Sequence, residues 1–507
     1  MNGQERNQRG LWGSKIAFIF AATGSAIGLG NIWRFSYMCY ENGGGAFLIP
    51  YFVALATAGI PLLILEYGLG HRMQGSAPVS FCRVGRRWEA LGWWPVVFVM
   101  FGIELYYCVI ISWCVNFFRF SFDLSWGPDT NSFFFGKFLG MSDSVWPPGM
   151  PQVAILVGLA IVWILNWLIC YRGIQSGIER ACTLFIPFLF VLVAVLVVRG
   201  LMLPGAVQGI KWYLKPDFAV LLKPRVWMAA YSQIFFTLSL GFGIMIAYAS
   251  YLPRDSDITA NATITGVVNC GFSFVAGFAV FSTLGYMAHT TGKPFEEVVK
   301  GSIGLAFVAY PEAISKMPVL QSVVGMIFFL LLILAGLSSS ISIIEAFASA
   351  VMDKYAMSRR KTISILCALG FLGGVIFTTR SGIIWLDIVD RFLGYYGLAI
   401  VGLLECIVIG WFYGSHVLRE HVNRTSNFSI GRTWDLCIKV FTPVILCVII
   451  TTSIYGDVVK SYGGYSRKAV LLIGFGWMVA TVVVALIFKR SSWRNVDIVS
   501  DDVRQTD

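Results

Sequence analysis

The chain has 507 residues, 57% of them hydrophobic and 13% charged, and its mean hydropathy is +0.74. That balance excludes a soluble globule and marks an integral membrane protein. The net charge of +11 does not call for a nucleic-acid partner, because the basic residues cluster between apolar stretches, where the positive-inside rule accounts for them.

Residues 1–13 are polar and basic. No short apolar core with a small-residue cleavage site follows, so they read as a cytoplasmic N-terminal segment and not as a signal peptide. Beyond them, membrane-length apolar stretches recur along the chain, and the expected fold class is an all-α integral membrane protein. About twelve spans are expected, near 14–39, 44–71, 90–120, 151–170, 176–199, 225–252, 258–288, 320–352, 362–379, 383–411, 433–455 and 468–488. Residues 489–507 read as a cytoplasmic tail.

The first span, read as AATGSAIGLGNIWRFS (Ala21–Ser36), is interrupted by glycines and small polar residues. The sixth is interrupted in the same way, at QIFFTLSLGFG (Gln233–Gly243). Unwound backbone inside a bilayer leaves N–H and C=O groups that lipid cannot satisfy, so it belongs where protein, water or a ligand takes those bonds. Two such breaks point to a buried polar site near mid-membrane. Five spans separate equivalent positions, and five is odd. A repeat of spans 1–5 (14–199) in spans 6–10 (225–411) must therefore be inverted, with two further helices in 433–488.

Between spans the bases fall on one side. They are Arg6 and Arg9 before the first span, Arg83, Arg86 and Arg87 after the second, and Arg254 after the sixth. Lys354, Arg359, Arg360 and Lys361 follow the eighth, and Arg419, Arg424 and Arg432 follow the tenth. Both termini are therefore expected in the cytoplasm, with the protein in the cell (inner) membrane. Trp126, Trp146 and Trp212 lie near outer span ends, where interfacial aromatics are expected. The outer loop Gly292–Pro318 is expected to fold as two short helices, about 294–301 and 308–315. The glycosylation triplets at Asn261, Asn423 and Asn427 read as chance matches. The eleven cysteines lack C-x-x-C spacing, so they read as buried thiols and not as a zinc or disulfide framework.

Several motifs resemble the neurotransmitter:sodium symporters. They are GNIWRF (Gly30–Phe35), ENGGGAFLIPY (Glu41–Tyr51) and QIFFTLSLGFG, with ASYLPRD (Ala249–Asp255), LAGLSSSIS (Leu334–Ser342) and LDIVDRF (Leu386–Phe392). The resemblance runs over about residues 9–490, and the short second outer loop, without cysteines, resembles the bacterial members. It implies a sodium-coupled symporter working by alternating access, with the bundle of spans one, two, six and seven rocking against the rest.

Sodium is a hard cation that takes oxygen ligands. The resemblance implies two sodium sites. The first would use the carbonyl of Ala26, the side chains of Asn31 and Asn269, and Thr237, with the substrate carboxylate completing the shell. The second would use carbonyls of Gly24, Ile27 and Ala335 and the hydroxyls of Ser338 and Ser339. Ser338 stands where a related pattern has Thr, and the donor oxygen survives.

The same resemblance places the substrate carboxylate at the N–H groups of Leu29 and Gly30, at a half-helix end, clasped by the Tyr107 hydroxyl. The amine would face carbonyls of Ala26, Phe236 and Thr237 and the hydroxyl of Ser239. Ile103, Phe236, Ser239, Phe242, Ser339 and Ile343 would line an apolar pocket for a neutral, small to medium aliphatic side chain. Gly28 stands where amine-transporting relatives carry Asp, so the substrate must bring its own acid.

Arg34 and Asp390 resemble the outer gate pair, and Arg9 and Asp353 the inner one, with Trp12 and Tyr251 nearby. Ser273 lies one turn beyond Asn269, where chloride-independent relatives carry Glu. Tyr51, Gln233, Thr237, Asn269 and Ser273 then offer only hydroxyl and amide donors, and chloride is the expected counter-ion. Glu104 departs from the pattern and is expected to turn away from the pocket and bond another helix, with a role in transport as the alternative. Glu66 is expected to cap the broken sixth span, while Glu345 and Glu405 read as structural. The expected substrate is a neutral amino acid, the expected unit a monomer or homodimer, and no enzymatic constellation is present. A betaine, taurine or γ-amino-acid transporter and a non-transporting amino-acid sensor remain the alternatives.

Overall fold

A computed structural model describes residues 11–142, 144–299 and 301–494. Among them, ten continuous helices are long and apolar enough to cross a membrane. They are Gly45–Met73, Arg86–Phe120, Val153–Tyr171, Ile174–Leu201, Ile258–Thr291, Gln321–Tyr355, Arg359–Thr378, Gly382–Thr425, Arg432–Gly464 and Arg467–Arg490. The pair Lys15–Ala26 and Leu29–Glu41, bent by 70°, makes an eleventh crossing. Pro224–Thr237 and Ile244–Ala249 are two further short helices, parted by a longer break at the segment expected as the sixth span.

Both breaks follow from local chemistry. In the first, the Lys15–Ala26 helix closes with Ile27 N–H bonding Thr23 O at 2.7 Å, and Ile27 and Gly28 turn to extended backbone. The chain re-enters a helical turn at Leu29–Asn31, where the Asn31 side chain accepts from Gly28 N–H at 2.8 Å. In the second, Ser239, Gly241 and Gly243 all take positive φ, at 52°, 72° and 73°. Glycine carries no steric penalty there, whereas a residue with a Cβ is strained, which is why two of the three are glycine.

The broken helices sit inside the bundle. Lys15–Ala26 packs against the fifth, seventh and eighth spans, and Ile244–Ala249 against the second and eighth. The third and eighth spans lie along each other and back the site. All eleven cysteines are free thiols, and all but Cys447 are buried.

Four details differ from the sequence reading. The second outer-loop helix begins at Ser302, not near 308, and continues through Lys316. Leu305–Ala309 is wholly buried and Phe307 stacks on Phe134 at 5.1 Å, so packing holds a turn that glycine-rich local sequence does not announce. Trp126 is buried, donating to Ser315 Oγ at 2.8 Å, and Trp212 stacks between Tyr40, Phe281 and Phe295; neither is a free interfacial ring. The tenth span continues past residue 411 as the amphipathic helix Ser415–Thr425.

Candidate functional site

At the first break the carbonyls of Gly24 to Ile27 lose their helical partners, and side chains from the eighth span come to meet them. Ser338 Oγ lies 3.0 Å from Ala335 O and 3.5 Å from Ile27 O. Ser339 Oγ lies 3.5 Å from Ile27 O and 3.4 Å from Ala335 O. A Cβ at Gly24 would stand 3.4 Å from that of Ser338. The five residues expected at the second sodium site are thus gathered in one buried cluster of oxygens, the donor class a hard cation uses.

The carbonyl of Ser25, which the sequence reading passed over, is the meeting point of both breaks. It accepts from Ser339 Oγ at 3.1 Å and from Ser239 Oγ at 3.3 Å. Its neighbour Ala26 drew attention through the motif, yet a freed carbonyl is available at every position of an unwound turn. Ser239, expected at the substrate amine, here spends its hydroxyl on that carbonyl.

Asn31, Thr237, Asn269 and Ser273 form a second buried knot. Asn31 Nδ2 donates to Asn269 Oδ1 and to Ser273 Oγ, both at 2.8 Å, and Asn269 Nδ2 donates to Thr237 Oγ1 at 3.2 Å. Each amide oxygen already accepts one bond and keeps a second lone pair for a cation. Beside this knot, Tyr51 Oη lies next to Cys270 and Ser273 without a hydrogen-bond partner. Both side-chain amide atoms of Gln233 are likewise buried and unpartnered. Buried donors in this state are rare and need an acceptor.

On the substrate side, Leu29 N–H points to Tyr107 Oη at 3.4 Å. A Cβ placed at Gly28 would lie 2.9 Å from that oxygen and 3.0 Å from Ser339 Oγ, so the position admits no side chain as the site stands. A Cβ at Gly30 would meet the Phe236 ring at 2.9 Å. Ile103, Phe242 and Ile343 are buried.

The residues expected at the outer gate do not meet. Arg34 lies over the Phe236 ring at 4.0 Å, and Asp390 accepts from Tyr106 Oη at 2.6 Å; Arg34 and Asp390 do not pair with each other. On the N-terminal side the described residues pack closely. Trp12 is buried, its Nε1 donating to Tyr248 O at 2.9 Å and its backbone N–H to Tyr251 O at 3.2 Å. Gly13 N–H bonds Glu179 Oε2 at 2.8 Å. Asp353 accepts from Ser76 N–H at 3.0 Å, while Arg9 lies outside the described residues.

The intramembrane acids divide by partner. Glu66 accepts from Gly241 N–H at 2.8 Å, at the broken sixth span. Glu405 is buried beside Glu66, and neither of its oxygens has a partner. Glu345 holds Arg359 by two bonds, at 3.0 and 2.6 Å, and accepts from Tyr251 Oη. Glu104 bonds the eighth span through Ser340.

Ten membrane-length helices, a bent helix pair and a second broken segment among the described residues, with oxygens gathered at the breaks, fit the plan of a secondary transporter. The model of the sodium:neurotransmitter symporter family matches residues 9–133 and 128–496. A sodium-dependent transporter of Methanocaldococcus jannaschii is 46% identical over 485 residues, covering 95% of this chain and 98% of the relative. The sodium- and chloride-dependent taurine transporter of Rattus norvegicus is 32% identical, covering 93% of this chain and 82% of the relative. The sodium-dependent dopamine transporter of Caenorhabditis elegans is 31% identical, covering 90% and 82%. The chain belongs to the sodium:neurotransmitter symporter family. It is a multi-pass, sodium-dependent transporter of a small molecule and not an enzyme.

Proposed function

We propose that the protein imports a neutral amino acid together with two sodium ions and chloride, by alternating access across the cell membrane with both termini in the cytoplasm. The observation that carries the substrate class is Gly28. With Tyr107 Oη and Ser339 Oγ at the edge of the space a Cβ would take, the chain offers no carboxylate to an ammonium at that point. A ligand that brings its own acid can instead meet the N–H groups of Leu29 and Gly30 and the Tyr107 hydroxyl. An amine without an acid, such as the substrate named for the worm relative, leaves those donors unanswered.

One sodium ion would take the cluster of Ile27, Ala335, Ser338 and Ser339 with Gly24, and the other the side chains of Asn31, Thr237 and Asn269 together with the carbonyl of Ala26. Chloride would answer the unpartnered donors Tyr51 Oη and Gln233 Nε2, with Ser273 in place of a carboxylate. All the residues proposed for the site come from one chain, and the unit would be a monomer or a homodimer. A taurine-like zwitterion is the second reading, favoured by the rat relative's name and compatible with Gly28, since it too carries an acid. Competition for binding in detergent separates these: neutral α-amino acids are expected to stabilise the protein against heat only in sodium, with dopamine inert. Stabilisation by dopamine and not by amino acids or taurine would overturn the proposal.

A further inference from the structure

Midway along the third span lies an acid that the transport site does not use. Glu104 follows Ile103 and precedes Tyr107 by one helical turn, and its side chain is fully buried. Its Oε1 accepts from Ser340 Oγ of the eighth span and from Cys108 Sγ at 3.0 Å. Asn166 of the fourth span donates to the same Ser340 Oγ at 2.7 Å. Two oxygens of this cluster, Glu104 Oε2 and Asn166 Oδ1, are buried without a partner.

The ionisable groups that face the carboxyl are Tyr107 and Cys108 from its own span, Cys170 from the fourth and Cys367 from the ninth. The eighth span presents Ser340, and its nearest acid, Glu345, is held by Arg359. No basic side chain among the described residues bears on Glu104. A carboxylate in that setting has no counter-charge, and a buried charge without one neutralises. A proton removes the charge and turns one of two surplus acceptors into a donor. No group of metal-ligating side chains surrounds Glu104 among the described residues, which suits a proton better than a metal ion.

Ser340 directly follows Ser338 and Ser339, the hydroxyls at the Ile27 and Ala335 carbonyls. We propose that Glu104 is a proton-binding site linked to sodium: it holds a proton when the oxygens around Ser338 and Ser339 lack their cation, and releases it to water on the open side as sodium binds. The step converts the carboxylic acid to carboxylate and a proton, and the arriving cation replaces the charge that leaves. This rests on the sodium assignment at Ser338 and Ser339, although Glu104 touches neither residue. Linkage makes the effect reciprocal, so acid must weaken sodium binding by the factor by which sodium weakens proton binding.

The test uses the purified full chain in weakly buffered solution, with labelled sodium and a pH indicator. Sodium is expected to release up to one proton per protein, and apparent sodium affinity to fall by up to about tenfold per pH unit on the acid side. Glu104→Gln should bind sodium with no proton release and no pH dependence, while Glu104→Asp should keep both. Sodium binding by the native protein without proton release would overturn the inference and leave the sodium assignment intact. So would a Gln variant with the native pH dependence. Failure of the native protein to bind sodium at any pH would overturn both.

Discussion

In the proposed function, single residues decide which ion and which ligand the breaks accept. Gly28 is the sharpest case, because the space beyond its Cα is bounded by Tyr107 Oη and Ser339 Oγ. Gly28→Asp should displace one of them and place a negative charge where the substrate acid would sit. Amino-acid affinity should drop by at least tenfold in a binding assay, about 1.4 kcal/mol. Ser338→Ala should lower apparent sodium affinity by about tenfold, the effect of losing one charge-assisted contact of ~1.5 kcal/mol, as measured by sodium titration of binding. At this scale the motifs were informative: glycines, serines and amides at breaks are chemically conspicuous. Ser25 was not, because its contribution is a carbonyl that every residue owns.

At the scale of elements, the broken sixth span depends on a partner from elsewhere in the bundle. Glu66 Oε1 holds the N–H of Gly241, at a position where φ is 72°. Glu66→Ala leaves that buried N–H without an acceptor, at a cost of about 1–3 kcal/mol, and should lower the unfolding temperature in detergent. Glu66→Gln keeps an acceptor and should lower it less. Ten of the expected spans were legible from apolar length, since bilayer thickness sets that length; the broken first and sixth needed their glycines and small polar residues as well. The helix from Ser302 was not, because it exists through burial of Leu305–Ala309 against Phe134 and its neighbours. Nor was the burial of Trp126, whose indole N–H finds Ser315 in a segment distant in sequence.

Across the whole molecule, the buried Trp12 on the N-terminal side and the separate partners of Arg34 and Asp390, Phe236 and Tyr106, are what the proposed alternating access would rearrange. Trp12 holds the N-terminal side to Ile244–Ala249 through its buried ring and the bond from its Nε1 to Tyr248 O. Trp12→Ala should weaken that attachment by about 3 kcal/mol, the lower end for losing a large buried side chain. Hydrogen exchange should then rise in Ile244–Ala249 while the rest of the bundle stays protected.

The central claim, sodium-driven import of a neutral amino acid with chloride, is tested most directly by flux into proteoliposomes. Labelled neutral amino acids are supplied with sodium or potassium outside, in chloride or in gluconate. Uptake above equilibrium is expected only with an inward sodium gradient, and it should fall when gluconate replaces chloride on both sides. Equal uptake in potassium and sodium would contradict the coupling, and sodium-driven uptake undiminished in gluconate would contradict the role of chloride.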